Sequence, residues 1–83
     1  MEYVSIHEQQ PEVKNDFETA MESQQISKKI LIKLSGGRKN KETGRDEIDG
    51  YYVVRNGKGM WSLDPCGTSQ YYGFDIGEHW KYL

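Results

Sequence analysis

PEVKNDFETAMESQQ, residues 11–25, is the stretch on which the fold class turns. Val13, Phe17, Ala20, Met21 and Gln24 recur at the spacing of one helical face, with Glu12, Asp16 and Glu22 off that stripe. Pro11 or Glu12 opens the helix, because proline suits a first turn whose N–H needs no partner. Asn15 followed by Glu18 is a rival cap. Acids lie early, and Lys28 and Lys29 lie just beyond the end, as the helix dipole favours. The stretch therefore reads as the helix of the chain.

On either side the periodicity is that of strands. Tyr3-Val4-Ser5-Ile6 reads as a short strand before Gln10-Pro11. In Lys29–Leu34, Ile30, Ile32 and Leu34 share one face and Lys33 points the other way. Ile48–Arg55 is rich in tyrosine and valine, which suit a pleated surface. Asn56-Gly57 then tolerates the positive φ angles of a type I′ turn. A two-residue loop sets the register: Arg55 opposes Lys58, Val53 opposes Met60, Tyr52 opposes Trp61 and Tyr51 opposes Ser62. Ile48, Tyr52, Val54, Trp61 and Leu63 form the expected core face. Asp64-Pro65-Cys66-Gly67 reads as a type I turn. Tyr71–Ile76 and His79–Leu83 read as the last strands. The expected architecture is α+β: one domain over residues 1–83, with one helix packed on a mostly antiparallel sheet of about five or six short strands.

The chain has 83 residues, of which Leu, Ile, Val and Phe supply only 16, so the aromatic side chains must carry much of the core. Net charge is −2, too low for a disordered polyelectrolyte. A single cysteine, Cys66, excludes an intramolecular disulfide. No signal-like start and no run of apolar residues long enough for a membrane span is present, so the expectation is a cytosolic, soluble protein. The near-neutral total hides three blocks. Residues 1–27 carry six acids and one lysine; residues 28–45 carry seven basic residues and one acid; residues 46–83 carry six acids and three basic residues.

The basic block runs into LSGGRKNKETGRDE, residues 34–47. It is not a phosphate-binding P-loop: Gly37 and Gly44 are too far apart, Arg45 is followed by Asp46, and a strand follows where a helix is required. His7, Cys66 and His79 lack paired metal-ligand spacing, so neither a metal nor another cofactor is expected. A Cys66–His79 pair oriented by Asp75 lacks the oxyanion donors and enclosing walls of a catalytic site, so no enzyme is expected. Two binding readings stay open. Lys28, Lys29, Lys33, Arg38, Lys39, Lys41 and Arg45 would neutralise nucleic-acid phosphates, with Tyr51, Tyr71 and Tyr72 stacking on bases, although the pI of about 5.6 is low for that role. Alternatively the chain binds a protein. The basic loop would grip an acidic partner, or an acidic helix face carrying Glu12, Asp16, Glu18 and Glu22 would mimic phosphates against a basic groove. Oligomeric state is left open.

Taken together, Tyr3-Val4-Ser5-Ile6, Pro11-Glu12, Ile30-Leu31-Ile32, Gly50-Tyr51-Tyr52, Trp61 and His79-Trp80 follow one order. In this the chain resembles a small domain of tailed phages and prophages. Its members open on a Trp-Ile-Ser-Val-like strand and a Leu-Pro-Glu turn, and close on a His-Trp pair. Tyr3 stands where the family has Trp, Gln10 where it has Leu, and Lys81-Tyr82-Leu83 lacks the terminal prolines. The resemblance implies a phage-type accessory protein in the bacterial host cytoplasm. It implies no reaction and no catalytic residue. Accessory proteins of this size often bind a host protein, inhibitors of defence complexes such as CRISPR among them.

Overall fold

The computed structural model describes residues 2–15, 24–63 and 71–83. Among them are eight strands: β1 Val4–Ser5, β2 Val13–Asn15, β3 Gln24–Ser27, β4 Ile30–Lys33, β5 Glu47–Arg55, β6 Lys58–Ser62, β7 Tyr71–Tyr72 and β8 His79–Tyr82. A 3₁₀ turn, Phe74–Ile76, separates the last two. Every pairing is antiparallel. The result is a curled half-barrel, not a helix on a sheet.

The helix expected from Pro11 to Gln24 is overturned at both ends. Val13–Asn15 and Gln24–Ser27 are extended and paired, with Val13 opposite Ser27, Lys14 opposite Ile26 and Asn15 opposite Gln25. Polar residues of low strand propensity become strand here because β3 has β5 to pair with, Ile26 opposite Val53 and Gln24 opposite Arg55. Phe17, Ala20 and Met21 lie outside the described residues, as does the turn expected at 64–67. The strand expected over Tyr71–Ile76 stops at Tyr72, and Phe74–Ile76 coils into the 3₁₀ turn.

The Asn-Gly hairpin forms in the expected register, from Arg55 opposite Lys58 to Tyr51 opposite Ser62. Asn56 and Gly57 both have positive φ, 53° and 78°, as the type I′ turn requires. β5 is the longest strand and belongs to two ladders. Its first half pairs with β4, which pairs in turn with β8 and β1. Its second half lies between β3 and β6.

One irregularity bends the sheet. Ile26 opposes Val53 and Ile30 opposes Gly50, so the three residues Ser27, Lys28 and Lys29 face two on β5, Tyr51 and Tyr52. An extra residue in one arm is a β-bulge, which kinks a strand and increases its twist. Ser27 is buried at this point, and its Oγ accepts the Tyr52 N–H at 2.9 Å and donates to the Lys28 carbonyl at 2.8 Å. The hydroxyl thus replaces a ladder bond that the bulge removes.

The curled face encloses Ile6, Ile30, Ile32, Tyr52, Trp61 and Trp80, all buried. Trp61 meets Phe74 edge-on with ring centroids 5.2 Å apart. Both indole N–H groups are satisfied by carbonyls: Trp61 Nε1 donates to Gly77 at 2.8 Å and Trp80 Nε1 to Gln9 at 2.8 Å. The Glu12 N–H donates to the Tyr82 hydroxyl, and the Ile6 N–H to the Glu78 carbonyl, so the opening segment is tied to β8. Leu34 and Leu63, expected on core faces, are only half-buried and are not part of this cluster.

Ser27→Ala should destabilise the chain by about 1–3 kcal/mol in urea unfolding, because the buried Tyr52 N–H loses its acceptor. Ser35→Ala, an exposed side chain, should stay within about 0.5 kcal/mol of the parent. Equal losses would show that the bulge does not depend on the hydroxyl.

Candidate functional site

The loop joining β4 to β5 folds on itself. At its base the Leu34 N–H donates to the Asp46 carbonyl at 2.7 Å, and Ser35 N–H donates to the Ile76 carbonyl at 2.9 Å. At its tip the Asn40 N–H donates to the Arg45 carbonyl and the Gly44 N–H to the Asn40 carbonyl, each at 2.7 Å. Asn40 Oδ1 accepts the Glu42 N–H, an Asx turn that starts the reversal. Gly44, with φ 73°, closes it in the left-handed region where other residues are strained. The Arg38 guanidinium donates to the Ser35 carbonyl at 3.1 Å. Twelve residues of polar sequence thus carry their own hydrogen-bond framework.

The fold sorts the seven basic residues of positions 28–45 into two sets. Lys29 lies 4.0 Å from Asp49, Lys33 2.8 Å from Asp46, and Arg45 3.5 Å from Glu47. Lys28 sits 4.6 Å over the Tyr82 ring. Arg38, Lys39 and Lys41 are exposed and make no salt bridge within 4.0 Å among the described residues, although Lys39 adds to the field that lowers Asp46. The salt bridges therefore gather along the ladder and at the base of the loop, and Arg38, Lys39 and Lys41 stand outside them.

Beneath the loop lies a groove of about 730 Å³. Arg38, Lys39, Lys41 and Arg45 are on its border. Leu31, Leu34, Ile48, Leu63 and Ile76 also line it. Consecutive residues Glu47–Asp49 all line it, so it runs along the edge of β5 and not over one face.

Beside the groove, the Tyr3 hydroxyl donates to Glu47 Oε2 at 2.5 Å, and the Tyr3 ring lies between Lys33 and Lys81, at 5.4 and 4.7 Å. Desolvation, then the bond to Glu47, pushes the Tyr3 phenol above its ordinary range. The same bond, aided by Arg45, holds Glu47 below the usual carboxylate range. The hydrogen bond from Lys33 does likewise for Asp46.

The other expected site residues are scattered. Glu12 is exposed in the segment before β2, while Asp16, Glu18 and Glu22 lie outside the described residues. Without a helix from Pro11 to Gln24, the acidic helix face is withdrawn. Tyr51 is half-buried, about 13 Å along β5 from Glu47. Tyr71 is in register with Ser62 on the Tyr51 rung, and Tyr72 with Trp61 on the next. His79 and Asp75 are exposed, and Cys66 lies outside the described residues. Among the described residues no group of three or more His, Cys, Asp or Glu is placed to hold a metal ion, and no helix is long and apolar enough to cross a membrane. Sequence reasoning missed the groove leucines and the Tyr3–Glu47 bond. For Leu31 a signal existed, since alternation puts it on the Lys33 face of β4. Comparison of the chain with protein-family models, curated proteins and solved structures finds no match.

The shifted groups predict a pH dependence. Glu47 and Asp46 have depressed values in the folded chain, so they contribute stability above the ordinary carboxylate range that is lost as pH falls through their folded values. Tyr3→Phe keeps the ring between the lysines and removes the hydroxyl. It should lower stability at neutral pH, and the difference from the parent should shrink as Glu47 is protonated on acidification. Urea unfolding across the acid range checks this; a constant difference would mean the hydroxyl acts independently of the carboxylate.

Proposed function

We propose that the chain is a non-enzymatic protein-binding module whose contact surface is the β4–β5 loop, and that its partner presents acidic side chains there. One observation carries the reading: three exposed cations, Arg38, Lys39 and Lys41, make no salt bridge among the described residues on a loop that is hydrogen-bonded internally. Exposed charge steers encounter and selects partners of opposite sign. A loop folded in advance avoids part of the entropy cost of binding. On the phage resemblance the partner is a host protein; a defence complex such as CRISPR rests on that resemblance alone.

Nucleic acid is the weaker occupant. Glu42, Asp46, Glu47 and Asp49 flank the same loop, and Tyr51, meant to stack on bases, is half-buried about 13 Å along β5 from Glu47. The test is a tagged capture from nuclease-treated bacterial lysate. A stoichiometric protein should be retained by the parent and by Lys58→Glu, an exposed hairpin position, and lost when Arg38, Lys39 and Lys41 are together changed to Glu. A partner that survives the triple reversal would refute this surface. Retention of nucleic acid without protein from untreated lysate would favour the nucleic-acid reading.

A further inference from the structure

The chain has four leucines, and three of them, Leu31, Leu34 and Leu63, line the groove under the loop. None belongs to the hydrophobic core, which is packed from isoleucine, valine and aromatic side chains. Each is only half-buried. Ile48 and Ile76 also line the groove and pack against the core. Apolar side chains outside the core therefore share one groove with Arg38, Lys39 and Lys41. Of the acids on the groove, Glu47 is engaged by Tyr3 and Arg45 and Asp49 is near Lys29, which leaves Glu42 as the uncommitted one among the described residues.

We infer that the groove receives a short acidic segment of a partner protein bearing one large apolar side chain, which seats on Leu34 and Leu63 while flanking carboxylates meet Arg38, Lys39 and Lys41. This rests on the protein-binding reading above and adds the class of segment bound. The volume suits it: about 730 Å³ falls within the roughly 300–1,000 Å³ of ordinary ligand sites. Cations alone would accept any anion. Leucines alone would accept any apolar group. Their combination selects a ligand with both.

The test uses the full chain carrying ¹³C-methyl leucine. Leu83, 69% exposed and outside the groove, is the internal reference. The probes are short synthetic peptides with a central Leu, Phe or Trp flanked by two Glu on each side. Controls replace the central residue by Ser or the glutamates by Gln, and a further arm is single-stranded oligo(dT). The inference expects saturable shifts at Leu34 and Leu63 with at least one anchored acidic peptide, and none at Leu83. The Ser control should bind about tenfold or more weakly, given the apolar area lost. Lys39→Glu with Lys41→Glu should weaken the anchored peptide further. Equal binding of the anchored and Ser peptides, with the leucines unmoved, would overturn the inference while leaving the charge reading standing. Equal binding of the Gln control would remove the acidic requirement and overturn it as well. No binding by any peptide, beside a partner still captured through the loop cations, would also overturn it. Oligo(dT) moving the leucines in place of the peptides would defeat both readings.

Discussion

The antiparallel register of β4 against β5 is the constraint from which the rest follows. It sets Ile30 opposite Gly50, Ile32 opposite Ile48 and Lys33 opposite Glu47. The isoleucines close the core on one face. On the other, the acids that open β5 come within reach of Lys29, Lys33 and Arg45. The same ladder brings the ends of the intervening loop together, Leu34 to Asp46, so that the turn at Asn40–Arg45 can close. Core, charge pairing and loop geometry are thus consequences of one pairing.

That ladder also explains the curl. β5 passes from a sheet with β4, β8 and β1 into one with β3, β2, β6 and β7, and the bulge opposite Tyr51 and Tyr52 marks the transition. A small chain gains from this arrangement. A flat sheet would need a second layer to cover its apolar face, whereas a curled one covers its own. Trp61 and Trp80 fill the enclosed space, and their N–H groups are bonded to carbonyls of the segments that close it.

Much of this was legible where local chemistry decides the outcome. Asn56-Gly57 specified the turn, the turn specified the register, and the register placed Tyr52, Val54 and Trp61 on the core side. Alternation in β4 separated Ile30 and Ile32 from Lys33. The helix misreading arose where distant pairing decides. Val13-Lys14-Asn15 and Gln24–Ser27 have no strong strand preference, and only the edges of β5 and β3 make them strands. The basic block was visible as composition, but which cations stand outside salt bridges depends on carboxylates brought across the ladder. The groove was hidden for a related reason: Leu34 and Leu63 are apolar residues at core-like positions, and only tertiary geometry leaves them half-exposed.

The central claim is that this ladder folds the cationic loop before any partner arrives. Amide hydrogen exchange of the free chain, resolved by NMR, tests it most directly. The account predicts that the Leu34, Asn40 and Gly44 amides exchange well below the rate of an unstructured peptide, each being donated to a carbonyl. Exchange of Asn40 and Gly44 at the unstructured rate, with β4 and β5 still protected, would contradict it.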